Sequence, residues 1–310
     1  MIKYASLENE QIKIKTETDS FPPNIIWIDL KNPTFKEKAL VEKTFNVELF
    51  TTQEREEIES SSKYVEIENE VGINLNFLHA ENGNYINEPV SFILKDNFLI
   101  TQRQQDYKTF TDAVHKIQSV KAKNGIDVFL NILEIRIDFD ADLIEDITEQ
   151  ITKISKGLVK DNNLKRDLLL KITAFQESTI SIRENIVEKQ RILSAILKSK
   201  FFPKENHEMI WIMIKDITSL LDHTSFNFER LEFLQNTFLG LVDMEQNRII
   251  KIFTVVTVIF MPPTLIASMY GMNFKFMPEL QNVYGYPLAI GLMIISSIGT
   301  LLFFRSKKWL

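Results

Sequence analysis

The chain contains no cysteine, which excludes disulfides, thiolate metal sites and a cysteine nucleophile. Its four histidines, His79, His115, His207 and His223, are scattered with no pair at ligand spacing, so they predict no transition-metal site. Positive charge is not in excess. The formal net charge is -6, which argues against a nucleic-acid partner, because phosphate binding needs a clustered basic face. Residues 1–10 lack the apolar run of a secretory signal, so the long polar part is expected not to be exported. Charge itself is missing from two places near the end. No residue between Lys251 and Lys275 is charged, and none from Leu280 to Phe304.

Those gaps are long enough to cross a bilayer. Ile252 to Tyr270 is nearly all apolar, and nineteen residues at about 1.5 Å each reach roughly 28 Å, close to the hydrocarbon thickness. A second span runs over 287–304. Two core helices of a soluble protein would also be apolar, but two adjacent ones at the chain's end, joined by a short polar loop, favour spans. Arg248 and Lys251 precede the first, and Arg305, Lys307 and Lys308 follow the second, whereas the loop holds only Lys275 and Glu279. Basic residues stay in the cytoplasm, so both termini are expected there and the loop outside, with Trp309 as an interfacial anchor.

The preceding part reads as a cytoplasmic α+β domain, an α/β sandwich, followed by helices. Ile25 to Leu30 reads as a buried strand, and Pro33 to Phe45 as a helix begun by Asn32-Pro33. Tyr64 to Leu78 alternates and predicts a strand. Asn82-Gly83 is a turn signal, and Asp96-Asn97 joins Val90–Leu94 to Phe98–Thr101 as a hairpin. Helices are expected over about 108–121, 125–157 and 162–200, and another begins after Pro203. From Lys204 to Met261 there is no proline and Gly240 is the only glycine. Carried on to Tyr270, that helix is about 100 Å long. So long a helix cannot bury its apolar positions in one small domain, and two spans cannot enclose water, so self-association is expected. The acidic run Asp138, Asp140, Asp142, Glu145 and Asp146 alternates with Phe139, Leu143 and Ile144. It reads as the solvated face of an amphipathic helix rather than a catalytic metal site.

The segments so defined are 1–105, an α/β domain; 106–203, a helical region; and 204–251, a stalk. They continue with 252–270, the first span; 271–286, an outer loop; 287–304, the second span; and 305–310, a basic tail.

Within the first span, four hydroxyl side chains fall on one register. Thr254, Thr257, Thr264 and Ser268 share alternating steps of three and four with Asn247, Ile250 and Met261. Serine and threonine also glue helices together in membranes, but a water-lined path accounts for the continuation to Asn247 as well. Continued backwards, the register passes Asp243, Gly240, Asn236, Phe233, Glu229, Phe226 and Asp222, which would stack acidic rings in an inner vestibule. Pro262-Pro263 removes two backbone donors in mid-span and predicts a local kink or widening.

At the outer end stands Tyr270-Gly271-Met272-Asn273-Phe274. Gly271 is expected to stop the helix in the left-handed conformation. Asn273 offers a neutral amide oxygen, which can hold the water shell that Mg²⁺ sheds reluctantly. This run, together with Met277-Pro278-Glu279-Leu280, Tyr284-Gly285-Tyr286-Pro287 and the ending Lys307-Lys308-Trp309-Leu310, resembles the CorA family of magnesium channels. Phe260 to Ala267 and Trp27-Ile28-Asp29-Leu30 ahead of Pro33-Thr34 fit the same likeness.

The resemblance implies a funnel-shaped homopentamer in the inner membrane, with the first span lining the pore. It implies Mg²⁺ as cargo and as cytoplasmic regulator, Co²⁺ and Ni²⁺ as further cargo, no organic cofactor and no enzymatic activity. It implies a filter at Gly271, Met272 and Asn273, which meet the ion through its hydration shell, and an outer mouth at Glu279. Asn247, Ile250, Phe253 and Thr264 become pore constrictions. The family closes when Mg²⁺ binds acids between neighbouring cytoplasmic domains. Here the position expected to carry one is Ile212, with Asp216 and Asp222 nearby. Zinc transporters that share the Gly-Met-Asn motif are the alternative within this class, and a membrane-anchored scaffold without ion flux is the alternative outside it.

Overall fold

The computed structural model describes residues 1–8, 11–16, 21–56, 63–81, 84–160, 166–275, 277–278 and 282–307. Two compact units divide them, Met1–Gln235 and Asn236–Leu310.

The first unit is built on a seven-stranded sheet of order β2-β1-β3-β7-β6-β5-β4. Its strands are β1 (Ile2–Glu8), β2 (Gln11–Thr16), β3 (Ile25–Lys31), β4 (Tyr64–Ile67), β5 (Glu70–Glu81), β6 (Asn84–Lys95) and β7 (Phe98–Arg103). All neighbours are antiparallel except β3 and β7. Side chains of a strand alternate between faces, so each buried strand feeds two cores. Trp27, Leu99, Phe92 and Phe77 join the core beneath helices α3 (Lys108–Val120), α4 (Gly125–Lys160) and α5 (Arg166–Lys198). Ile28, Leu30, Ile93 and Ile100 join Val41 of α1 (Phe35–Phe45) on the other face. The sheet is therefore sandwiched, as its composition predicts, with a short helix α2 (Thr52–Glu56) beside it.

Several boundaries differ from the sequence reading, each for a local reason. Helix α1 starts at Phe35 rather than at Pro33, because Thr34 is its N-cap: Glu37 N–H donates to Thr34 Oγ1 (3.3 Å) and Thr34 N–H donates to Glu37 Oε2 (2.7 Å). The strand expected over 64–78 is two strands, broken at Glu68, whose φ is 47°. Odd-numbered residues are apolar on both sides of that turn, so alternation alone does not reveal the break. Val65 and Ile67 are exposed while Val71 and Ile73 are buried. The Asp96-Asn97 hairpin is present, with Asp96 at φ 48°. The turn at 82–83 lies outside the described residues, and β1 and β2 were not anticipated.

Helix α6 spans His207–Tyr270, 64 residues, after one 3-10 turn at Lys204–Asn206. Its first part belongs to the first unit. Arg183 of α5 donates to Ser225 Oγ (2.6 Å), and Asn227 Nδ2 donates to Thr148 Oγ1 of α4 (2.8 Å). The second unit holds the remainder of α6 and α7 (Gly285–Ser306).

Candidate ion pathway

In the second unit, α6 has two unlike faces. Val255 is buried, and Val258, Ile259, Pro262, Pro263, Ile266 and Tyr270 are half-buried. On α7, Ala289 and Phe304 are buried and Met293, Ser296, Ser297 and Thr300 half-buried. Both sets recur at helical spacing, so each helix packs along one stripe. Helix α6 runs unbroken through Pro262 and Pro263, which lie on this packing stripe. The hydroxyl register lies elsewhere. Thr254, Thr257, Met261, Thr264 and Ser268 are all exposed, on a face about 160° from the packing stripe at 100° per residue.

The exposure continues along the helix. Every position of the register from Asp222 through Phe226, Glu229, Phe233, Asn236, Gly240, Asp243, Asn247 and Ile250 to Ser268 is exposed, and Phe253 beside it is 69% exposed. Leu231, Leu234 and Phe238, off the register, are buried. Within their most apolar windows, only 6% of the α6 segment and 11% of α7 are buried, unlike the core helices of a soluble protein.

Three hydroxyls turn back on the helix. Thr254 Oγ1 donates to the Ile250 carbonyl (2.8 Å), Thr257 Oγ1 to Phe253 (2.9 Å) and Thr264 Oγ1 to Phe260 (2.7 Å). The helix then stops at Gly271, whose N–H donates to the Ala267 carbonyl (2.9 Å). Contrary to the sequence reading, Gly271 is not left-handed. Its smallness matters instead, because a Cβ there would stand 3.2 Å from the Ala267 carbonyl oxygen and 3.6 Å from that of Ser268. Met272 and Asn273 are exposed, and the Asn273 amide hydrogen-bonds no described residue. Glu279, Lys308 and Trp309 lie outside the described residues.

Among the described residues no group of three or more histidine and acidic side chains could hold a metal ion. Four members of the acidic run, Asp138, Asp142, Glu145 and Asp146, are exposed as expected. Asp140 is not. It is 1% exposed and pairs with Arg136 (2.7 Å) and with Lys189 of α5 (2.9 Å), both equally buried. Arg136 also donates to the Leu78 carbonyl of β5 (3.0 Å) and lies over the rings of Phe77 and Phe139. Lys189 donates to Asn185, whose amide donates to Asn76 of β5 and Asn87 of β6. Burial pushes the Lys189 ammonium below its ordinary value; Arg136 adds to this and Asp140 opposes it. A second buried pair explains Trp27 and Asp29 on β3. Trp27 Nε1 donates to Thr101 (3.1 Å), Thr101 Oγ1 donates to Asp29 (2.8 Å), and Arg103 grips Asp29 (2.8 Å). These bonds tie β3 to β7 at the one parallel joint. Spacing shows only the Arg136–Asp140 step within α4; Lys189 reaches Asp140 from α5, and Thr101 and Arg103 reach Asp29 from β7.

A model of the CorA-like Mg²⁺ transporter protein family matches residues 23–308. The chain belongs to the CorA family. The magnesium transport protein CorA of Wolinella succinogenes is 37% identical over 301 residues, covering 95% of this chain and 94% of its own. The complete structure of the CorA magnesium transporter from Methanocaldococcus jannaschii matches with a TM-score of 0.86 at 21% identity, covering 100% of this chain and 99% of that one. The ZntB cytoplasmic domain from Vibrio parahaemolyticus matches with a TM-score of 0.61 at 15% identity, over 78% of this chain and 98% of its own. At such identities these structures share a fold with the chain. The CorA match takes in both apolar helices, the exposed register and the Gly271–Asn273 turn.

Proposed function

We propose that this CorA-family chain assembles as a homopentamer around the exposed register of α6 and passes hydrated Mg²⁺ into the cytoplasm, drawn by the inside-negative potential. The carrying observation is the register itself. It stays exposed from Asp222 to Ser268, opposite the packing stripe in the span, and ends at Gly271–Asn273. On a single chain that face is exposed, and a ring of chains turns it inward onto water.

In this reading Asn273, with Gly271 and Met272, forms the outer filter. The Asn273 carbonyl oxygen accepts hydrogen bonds from the waters that Mg²⁺ keeps. The family likeness gives Glu279 the role of outer mouth. Thr254, Thr257, Met261, Thr264 and Ser268 line the path, Asn247, Ile250 and Phe253 narrow its inner end, and Asp243 and Asn236 face the vestibule. Both termini are cytoplasmic and the membrane is the inner one. Mg²⁺ is cargo and, on the cytoplasmic side, the closing signal; Co²⁺ and Ni²⁺ are further cargo. The chain acts as a conduit, with no catalytic step and no organic cofactor.

Magnesium is favoured over zinc by kinship: a relative named for magnesium transport is 37% identical across nearly the whole chain. The test is flux through the purified chain in liposomes under an inside-negative potential, with Mg²⁺ or Zn²⁺ outside. The reading predicts potential-driven Mg²⁺ influx that exceeds Zn²⁺ influx. Zn²⁺ flux without Mg²⁺ flux would reverse the assignment, and no flux of either would favour a scaffold.

A further inference from the structure

We propose that a cavity in the first unit, between strands β1 to β3 and helix α3, binds a small apolar monocarboxylate, with Lys3 as its counter-ion. The site lies on the sheet and does not depend on the ion pathway proposed above.

Strand register builds its floor. Ile14 of β2 pairs with Ala5 of β1, and Ala5 pairs with Trp27 of β3, so these side chains form one apolar row. Two residues along, Thr16, Lys3 and Asp29 form a polar row on the same face. Helix α3 covers the floor with Phe110 and Val114, and the space between is about 210 Å³. Ala5 leaves that room, a single methyl between an isoleucine and a tryptophan. Sites for drug-sized molecules run to roughly 300–1,000 Å³, so the ligand here is a smaller one.

The walls are held from behind. Trp27 Nε1 donates to Thr101, Arg103 grips Asp29, and the Arg103 guanidinium lies 4.3 Å from the centre of the Phe110 ring. Side chains locked in this way keep the space open and lower the cost of binding.

Charge selects the head group. Asp29 accepts from Thr101 Oγ1 and from Nε and Nη2 of Arg103. Asp106, also on the cavity, pairs with Lys31 (2.7 Å) and Arg103 (3.3 Å). Both acids are thus already matched, which disfavours an ammonium on the ligand. Lys3 stands opposite Asp29 in the register but ion-pairs with no described residue. One positive charge is therefore unspent at the polar row, beside the Thr16 hydroxyl. A carboxylate at Lys3 and an apolar body on Ile14, Ala5 and Trp27 satisfy both rows. A cation satisfies only the apolar one.

Benzoate is the probe, and benzamide is its uncharged control of the same shape. Binding is measured by calorimetry on the full-length protein in detergent, and as a rise in melting temperature with ligand concentration. Benzoate should bind saturably and about fivefold more tightly than benzamide, the scale of one exposed ion pair. Lys3→Met keeps an unbranched side chain and should bring benzoate to the level of benzamide. Val114→Phe fills the space from α3 and should abolish binding of both. Lys3 is exposed and Val114 half-buried, so both variants are expected to fold, and their melting without ligand checks it. Absence of saturable benzoate binding to wild type overturns the site. Benzamide bound as tightly as benzoate, or unchanged benzoate affinity in folded Lys3→Met, overturns the counter-ion; unchanged affinity in folded Val114→Phe overturns the cavity.

Discussion

A Cβ on residue 271 would press on the Ala267 carbonyl oxygen at 3.2 Å, inside ordinary van der Waals contact. The glycine therefore serves a close approach and not a left-handed turn, which changes what its replacement should do. Gly271→Ala needs a shift of a few tenths of an ångström in the last turn, so reduced rather than abolished Mg²⁺ uptake is expected. Gly271→Val, with a branched side chain at the same point, should abolish it. Equal uptake by the valine variant and wild type would show that the turn's geometry is free to change. The motif was legible because its residues are adjacent; the reason for the glycine was not, since spacing does not report φ.

The same scale holds the Arg136–Asp140–Lys189 cluster. One carboxylate faces two buried cations, so Asp140→Asn leaves both uncompensated and should cost about 3–5 kcal/mol of stability. Lys189→Met leaves a one-to-one pair and should cost far less. The titration has a definite sign. Lys189 has an ordinary value of 10.5 and a lower one when folded, so between them the unfolded chain binds more protons. Stability from this residue is then lost as pH falls from 10.5 through that window. Thermal melting against pH should show the loss in wild type and a flatter profile in Lys189→Met. Identical profiles would mean that Lys189 stays charged in its buried site. The sequence reading puts Asp140 on a solvated face because the acidic run hides its burial: Arg136 is an ordinary i,i+4 neighbour, and Lys189 comes from another helix that only folding brings near.

Among the elements, α6 was the most legible. Hydrophobic length marked its span, a property of contiguous sequence; the three-four register is exposed throughout, but so are off-register neighbours such as Phe260, Leu265 and Met269. The strands were less so. β2 alternates over six residues (Gln11–Thr16) at a sheet edge, and β4 is separated from β5 by a turn that keeps the same parity. At the inner end of the span, Ile250 is 52% exposed and Phe253 69% exposed on the chain. If they close the path by excluding water, Ile250→Ser and Phe253→Ser should raise basal flux at high internal Mg²⁺. Liposomes preloaded with Mg²⁺ provide the measurement. Unchanged leak in both variants would place the gate elsewhere on the register.

Across the whole molecule, the fold class was readable from strands giving way to helices and then to apolar spans, and family likeness was concentrated at the outer turn. Strand order was not readable, since β3 pairs with β7 across about seventy residues. The proposed assembly would have a consequence that a single chain lacks, because one exposed acid would become a ring. Asp243 lies one turn before Asn247 on the register and is exposed. In a ring, Asp243→Asn should lower Mg²⁺ flux at low ionic strength and converge on wild type at high salt. Identical flux at every ionic strength would put Asp243 outside the path.

The central claim is that hydrated Mg²⁺ crosses at Asn273, and one comparison tests it most directly. Wild type and Asn273→Ala are purified as assembled oligomers and placed in liposomes under the same inside-negative potential, and Mg²⁺ influx is followed with an internal indicator. Asn273 is exposed and makes no hydrogen bond to a described residue, so its loss should leave folding and assembly intact. Influx is predicted in wild type and its absence in Asn273→Ala; equal influx through the assembled variant would contradict the account.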